Sequence, residues 1–210
     1  MWAIKHLNSY LTGFFPLANN SKVDDKGSVE AIHSFYNKNN IPIDMFIVKN
    51  ESNFIEDKSL YLKVYQGFDS AKQKFFDNGS EYLDHFFDNL AKDIQSQEAI
   101  YLRAFVNNRL VGCVSYDLNW KKNDSNWERN IYLNHIFIDP DFQNTGIGKE
   151  LIFSVFKDSK ITSRFESIIA LVEWYSLNDP TKFYKKIGFQ EVDSIDFPVN
   201  GTLYKWVKNS

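Results

Sequence analysis

Residues 131–150, IYLNHIFIDPDFQNTGIGKE, decide the fold of this chain. Isoleucine and aromatic residues dominate 131–138, which favours a buried β-strand, and Asp139 and Pro140 end that strand. Apolar residues then recur on one face of a helix with a period of about 3.6 residues. They are Ile147, Leu151, Ile152, Val155 and Phe156. The stretch therefore predicts a strand, a short polar loop and a helix.

The predicted loop suits an anionic ligand. Backbone N–H groups at a helix N-terminus point outward, and the helix dipole favours negative charge there. Gly146 and Gly148 have no Cβ, so a phosphate can approach the main chain. We expect a phosphorylated cofactor at this loop. The alternative is a plain strand-to-helix turn in which the glycines serve backbone geometry alone.

Spacing excludes two familiar phosphate-binding loops. A P-loop ending at Lys149 would need glycine at position 143 and Ser or Thr at 150, where Gln143 and Glu150 stand. A dinucleotide-binding fingerprint beginning at Gly146 would need glycine or alanine at position 151, which is Leu151.

The pattern that fits is Gln-x-x-Gly-x-Gly at Gln143, Gly146 and Gly148. It resembles the acetyl-CoA pyrophosphate loop of the GNAT family of N-acyltransferases. The resemblance implies that the strand before the loop splays from its neighbour, and that the main chain of Phe137 and Ile138 pairs with the pantetheine arm. It further implies that the loop wraps the pyrophosphate through Gln143, Asn144, Thr145, Gly146, Ile147, Gly148 and Lys149.

A second motif, DPTKFYKKIGF at residues 179–189, predicts a short helix that begins near Pro180 and ends at Gly188. It resembles the short helix of the same family at Phe183, Tyr184, Gly188 and Phe189. The resemblance implies that the Tyr184 hydroxyl lies near the thioester and protonates the departing thiolate as general acid. A tyrosine pKa near 10 suits that role. The alternative is a core tyrosine with a satisfied hydroxyl.

The sequence departs from the family pattern before this helix. Family members often carry a cofactor-binding asparagine at the end of the preceding strand. Here Asn178 lies one residue closer to Tyr184 than that spacing, and Leu177 takes the aligned position. Asn178 is a cofactor ligand only if its loop adjusts.

The general base is the least determined part of the predicted site. Strand alternation places His135 on the face opposite Tyr132 and Asn134, which match the positions where family members carry a base. We therefore expect His135 to pack against a helix or to bond locally, and Tyr132 and Asn134 to orient a water that relays the proton. Glu173 is the best carboxylate candidate and Glu128 a weaker one. Alternatively, the amine arrives neutral and water takes the proton.

Composition bounds the functional class. The chain has 210 residues, 24 Lys+Arg against 27 Asp+Glu and a net charge of −3, so no basic block indicates a nucleic-acid partner. No apolar run is long enough to span a bilayer, and no membrane partner is expected. The single cysteine, Cys113, is compatible with a reducing, cytoplasmic location. No metal is expected, because the histidines lack ligand spacing; they are His6, His33, His85 and His135.

The order of predicted elements is that of the GNAT fold from residue 45 onward. We expect an α/β (α+β) protein with a central mixed, mostly antiparallel sheet of six to seven strands. The sheet is splayed at the motif strand and flanked by about four helices. Residues 1–44, with a predicted helix over 29–36, form an N-terminal extension that packs on the domain or on a partner, and a homodimer is one option. Residues 45–210 form the acyltransferase domain.

The leading functional hypothesis is an N-acetyltransferase that uses acetyl-CoA as co-substrate and no metal. The acceptor, a primary amine of a small molecule or of a peptide or protein, would attack the thioester directly in a ternary complex. The first alternative is a non-catalytic acyl-CoA-binding or interaction module of the same fold. A second is an enzyme acting within a protein pair on a tRNA-linked or protein amine.

Overall fold

The computed structural model describes residues 29–50, 53–66, 79–120, 129–173, 180–195 and 201–208, and the account below concerns these ranges. They contain eight strands, which are β1 Val29–Tyr36, β2 Pro42–Val48, β3 Ala99–Val106, β4 Arg109–Asp117, β5 Asn130–Ile138, β6 Ser167–Glu173, β7 Gln190–Ile195 and β8 Gly201–Val207. They also contain five α-helices, which are α1 Ile55–Gln66, α2 Gly79–Gln95, α3 Ile147–Ser154, α4 Ser159–Arg164 and α5 Thr181–Lys186.

The strands form one sheet in the order β1-β2-β3-β4-β5-β6-β8-β7. All neighbours are antiparallel except β5 and β6, which run parallel. Asn107 and Asn108 turn the β3–β4 hairpin with φ values of 49° and 63°, as their tolerance of positive φ predicts. The expected mixed, mostly antiparallel sheet is confirmed.

Helices cover both faces of the sheet. On one face α3, α4 and α5 bury residues such as Leu151, Ile161 and Tyr184 against the central strands. On the other, α1 and α2 bury Leu60 and Phe87 against Tyr101 of β3 and its neighbours. No helix within the described ranges combines the length and the apolar character that crossing a bilayer requires.

Residues 29–36 form a strand, and the predicted helix there was wrong. The segment carries the β-branched residues Val29 and Ile32 and the aromatics Phe35 and Tyr36, and pairing with β2 supplies its hydrogen bonds. With this strand the sheet has eight strands, one more than the six to seven expected. Strands β1 and β2 thus belong to the same sheet as β3–β8. The division of the chain at residue 44 stays a prediction, and residues 1–28 lie outside the described part.

The remaining elements agree with the sequence in kind and differ at their ends. The sequence predicts helices over residues 57–76 and 80–94. The first begins at Ile55 and is described to Gln66, and the second runs from Gly79 to Gln95. The additional helix α4 follows a 3-10 turn and is capped by Asp158, whose side chain accepts a hydrogen bond from the Lys160 amide.

Candidate functional site

The motif strand β5 separates from β6 halfway along its length. Parallel pairing runs from Asn130 opposite Ser167 to Leu133 opposite Ala170, although β5 continues to Ile138 and β6 to Glu173. The divergence begins where Asn134 is inserted as an extra residue opposite β4. Such a bulge bends a strand, so a groove opens between the two strand ends.

The loop after β5 is held by its own side chains. Gln143 donates from Nε2 to the Ile138 carbonyl at 3.2 Å, and Thr145 donates from Oγ1 to the Phe142 carbonyl at 2.6 Å. Asn144 has a φ of 62° and Gly146 a φ of 100°. Two left-handed residues in three turn the chain sharply from the strand into α3, and at Gly146 that conformation favours glycine.

The start of α3 presents backbone amides at this loop. The first helical hydrogen bond runs from the Glu150 amide to the Gly146 carbonyl at 3.1 Å. The amides of Ile147, Gly148 and Lys149 therefore precede the helix's own bonding pattern and can bind an anion. Ile147 itself is fully buried, whereas Lys149 is exposed. The predicted loop residues thus come together around one group of donors.

Gly148 lies between β5 and α5. A Cβ at this position would make ordinary van der Waals contacts, 3.4 Å from Phe183 Cζ and 3.6 Å from Ile138 Cγ1. At this point α3 therefore packs beside both β5 and α5. This contact brings the second sequence motif, on α5, beside the first.

Asp139 anchors the beginning of the loop. Its carboxylate accepts hydrogen bonds from Lys63 of α1 at 2.6 Å, from Arg109 of β4 at 2.5 Å and from the Asp141 amide at 3.0 Å. Burial raises the pKa of Asp139, but these bonds outweigh burial and lower it. The carboxylate therefore stays ionised and holds the loop against α1 and β4.

Lys38, in the turn between β1 and β2, is a contact that sequence reasoning missed. Its amide donates to the Thr145 carbonyl at 3.0 Å, and its Cγ lies 3.9 Å from the position of a Cβ built on Gly146. A cation from a distant part of the chain thus lies beside the loop. No local sequence pattern could reveal it, because the contact depends on how the first hairpin packs.

Tyr184 lies on α5 and is 6% exposed. Its ring packs edge-on against Phe183 and Phe189 and stacks on Tyr204, with centroids 5.4, 5.2 and 6.2 Å away. Burial, with a smaller contribution from nearby Tyr132, raises the pKa of Tyr184 above its usual value. The hydroxyl is therefore protonated throughout the physiological pH range.

His135 packs against a helix, as expected, although the alternation argument behind that expectation fails. Its ring meets Phe86 of α2 edge-on at 4.6 Å and stacks on Phe137 at 5.6 Å. The bulge at Asn134 resets the alternation, so His135 and Asn134 both lie toward α2. Burial lowers the pKa of His135 to about 4, which leaves it a weak base.

The structure brings only some of the other predicted catalytic residues together. Tyr132 is half-buried and stacks on Trp120, with ring centroids 4.8 Å apart. Asn134 is exposed. Glu173 ends β6, where its backbone pairs with Gly201 of β8. Two further candidates, Glu128 and Asn178, lie outside the described residues.

A cavity of about 450 Å³ borders Asn134 on the α2 side of the sheet. It lies between α2, the start of β3, the end of β4 and the bulge of β5. Sequence analysis did not predict it, since its lining comes from four separate segments. Among the described residues, no group of three or more His, Cys, Asp or Glu side chains is arranged to hold a metal ion.

Comparison with known proteins gives one family match and one curated relative. The model of the acetyltransferase (GNAT) family matches residues 62–189. An uncharacterized N-acetyltransferase of Methanocaldococcus jannaschii is 31% identical over 136 residues, which cover 65% of this chain and 56% of that protein. The chain thus spans little more than half the length of this relative.

Solved structures share the fold at low sequence identity. The PaiA N-acetyltransferase of Thermoplasma acidophilum, in complex with coenzyme A, aligns with a TM-score of 0.57 and 18% identity, over 78% of this chain and 98% of that one. A protein of Pyrococcus horikoshii OT3 aligns with a TM-score of 0.58 and 19% identity, over 79% and 99% of the two chains.

Proposed function

Since the chain belongs to the GNAT acetyltransferase family, we propose that it transfers an acetyl group from acetyl-CoA to a primary amine. The observation that carries the proposal is the separation of β5 from β6 beyond Leu133, which leads into a loop of outward-pointing amides. Tyr184, on the helix beside that loop, supplies an acid.

The described residues fit acetyl-CoA. The groove between β5 and β6 runs past the main chain of Phe137 and Ile138, which we assign to the pantetheine arm. The amides of residues 143–149 suit the pyrophosphate because the left-handed residues Asn144 and Gly146 turn the main chain there. Bound acetyl-CoA supplies an activated acetyl thioester.

The reaction conserves atoms and charge without a covalent enzyme intermediate. The amine first loses its ammonium proton, its nitrogen forms a bond to the acetyl carbon, and the carbon–sulfur bond breaks. Tyr184 gives its proton to the departing thiolate and is reprotonated by the proton that the amide nitrogen releases. The raised pKa of Tyr184 keeps this hydroxyl protonated before each turnover and also makes it a weaker acid than an exposed tyrosine. The backbone N–H near Ile138 would stabilise the oxyanion that forms during attack.

We propose that a water molecule oriented by Asn134 and Tyr132 removes the ammonium proton and relays it to solvent. Asn134 is exposed and borders the cavity at the bulge where β5 parts from β6, so solvent reaches β5 at this point. Glu173, at the end of β6, is the competing base. Replacing Glu173 with Gln separates the two: loss of a true base should lower kcat/KM most at low pH, where the acceptor is an ammonium, and this loss should shrink as the pH rises, whereas the relay predicts kcat/KM unchanged at every pH.

The test is release of free thiol from acetyl-CoA with a panel of primary amines. We expect turnover with at least one amine and about a hundredfold lower kcat in Tyr184→Phe, with the KM for acetyl-CoA unchanged. Tyr204→Phe is the matched control, since Tyr204 is also buried and stacks on Tyr184. Binding of acetyl-CoA without turnover on any amine would instead identify a non-catalytic acyl-CoA-binding module.

A further inference from the structure

The cavity beside Asn134 is acidic at one end. Three carboxylates line it: Asp93 near the end of α2, Glu98 before β3 and Asp117 at the end of β4. Within the described part of the chain, none of the three forms an ion pair with a Lys, Arg or His side chain. A cation entering the cavity would therefore meet carboxylates that form no ion pair within the described residues, although the charge of Lys92 acts on Asp93 from nearby.

The backbone holds these carboxylates close together. The Glu98 amide donates to the Asp93 carbonyl at 2.7 Å, and the Leu118 amide donates to the Glu98 carbonyl at 2.8 Å. Desolvation raises the pKa of Asp93, and the charges of Glu98 and Asp117 raise it further. Like charges brought together by the fold are relieved by a bound cation.

Ser115 provides an independent sign of a ligand. It is 1% exposed and lines the cavity, and its Oγ has no hydrogen-bond partner in the part of the chain that is described. A buried hydroxyl without a partner costs free energy unless a bound group satisfies it. An amine in the cavity can donate to Ser115 Oγ.

The cavity has two distinguishable ends. Ser115 and Asp117 are two residues apart on one face of β4, a separation of about 6.5–7 Å. Ser115 and its neighbour Tyr116 pair with the residues on either side of the Asn134 bulge, where β5 and β6 part. The Ser115 end therefore lies level with the point on β5 where the groove assigned to the thioester arm opens, and the carboxylates lie at the other end of the cavity.

We propose that this cavity binds an aliphatic diamine, with one nitrogen at Ser115 and Asn134 for acetylation and the second, as ammonium, among Asp93, Glu98 and Asp117. The inference rests on the proposed function and narrows its acceptor to amines that carry a second positive charge. Because Asp93 and Glu98 are exposed, the attraction is partly screened by solvent and depends on salt.

The experiment compares butane-1,4-diamine with butylamine as acceptors for the full-length protein. We expect kcat/KM to be at least about tenfold higher for the diamine, as for one charge-assisted contact, and the preference to shrink as ionic strength rises. Asp93→Asn and Asp117→Asn, which keep side-chain shape, should each lower the preference about fivefold. Ser115→Ala should lower kcat/KM for both amines.

Asp88→Asn is the matched control. It removes the same charge from an exposed position of α2 outside the cavity, and the diamine preference should not change. Equal use of both amines, or a preference that survives in an Asp93→Asn/Asp117→Asn double variant, would overturn the diamine site and leave the transferase intact.

Failure of the transferase would be recognised separately. If no amine is acetylated, calorimetric titration with butane-1,4-diamine still tests the cavity. Salt-sensitive binding that the double variant loses would support the diamine site, and absence of binding would overturn it.

Discussion

Tyr184 is the single residue on which the proposed chemistry most depends. Burial raises its pKa, so the hydroxyl remains protonated above the pH at which an exposed tyrosine ionises. We therefore predict that kcat/KM rises with pH as the acceptor ammonium deprotonates and does not fall again between pH 8 and 10. A pH–rate profile measures this, and an alkaline decline in wild type that is absent from Tyr184→Phe would contradict it.

His135 makes a prediction about stability rather than catalysis. Its folded-state pKa of about 4 lies below the unfolded value of 6.5, so the unfolded chain binds more protons between these pH values. The contribution of the neutral His135 ring to the free energy of unfolding is complete above pH 6.5 and is lost as the pH falls toward 4. Between pH 7 and pH 5 this group should cost the protein about 2 kcal/mol of unfolding free energy.

Urea unfolding at the two pH values tests this. His135→Gln should show a smaller loss between pH 7 and pH 5 than wild type, and His85→Gln, at an exposed position, should show the wild-type loss. An unchanged loss in His135→Gln would mean that the ring titrates normally in the folded protein.

At the scale of elements, the loop between β5 and α3 depends on the left-handed backbone of Gly146. Replacement by alanine forces a Cβ into that conformation, at about 1–2 kcal/mol, and should shift the loop amides. We predict a raised KM for acetyl-CoA in Gly146→Ala. Gly188→Ala carries the same φ of 100° at the end of α5 and should lose stability without the change in KM. Equal KM values in the two variants would argue against an anion loop.

Local patterns predicted most of these elements but not the junctions between them. The period of apolar residues from Ile147 and the β-rich composition of 131–138 gave the strand, loop and helix. The bulge at Asn134 was not predictable, because it exists only in the pairing of β5 with β4, and it reversed the facing inferred for His135. The strand at residues 29–36 was also not predicted, because a short apolar segment can form a helix or a strand depending on what it packs against.

At the scale of the whole molecule, the β1–β2 hairpin lies at one edge of the sheet, and its turn contacts the loop that follows β5. The Lys38 amide binds the Thr145 carbonyl, which sets the Lys38 side chain next to Gly146. We predict that Lys38→Gln raises the KM for acetyl-CoA two- to fivefold, about the effect of one exposed charge, and that the difference shrinks at high salt. Lys49→Gln, which removes an exposed charge paired with Glu30 on the same hairpin, should have no effect.

The acceptor end shows the same dependence on the assembled fold. Asp93 lies on α2, Glu98 before β3, and Ser115 and Asp117 on β4, and no sequence motif joins these three segments. The sequence therefore indicated the acetyl donor, acetyl-CoA, through two motifs that the structure brings side by side. It left the identity of the acceptor amine open. Only the packing of α2 on β3, β4 and β5 creates the cavity that narrows it.

The most direct test of acetyl transfer is to follow thiol release from acetyl-CoA and the mass of the acceptor amine in the same reaction. The account predicts that each thiol released is matched by one acetyl group on the amine, and that both fall together in Tyr184→Phe. Thiol release without acetylated amine, or acetyl-CoA bound with neither product formed, would contradict it.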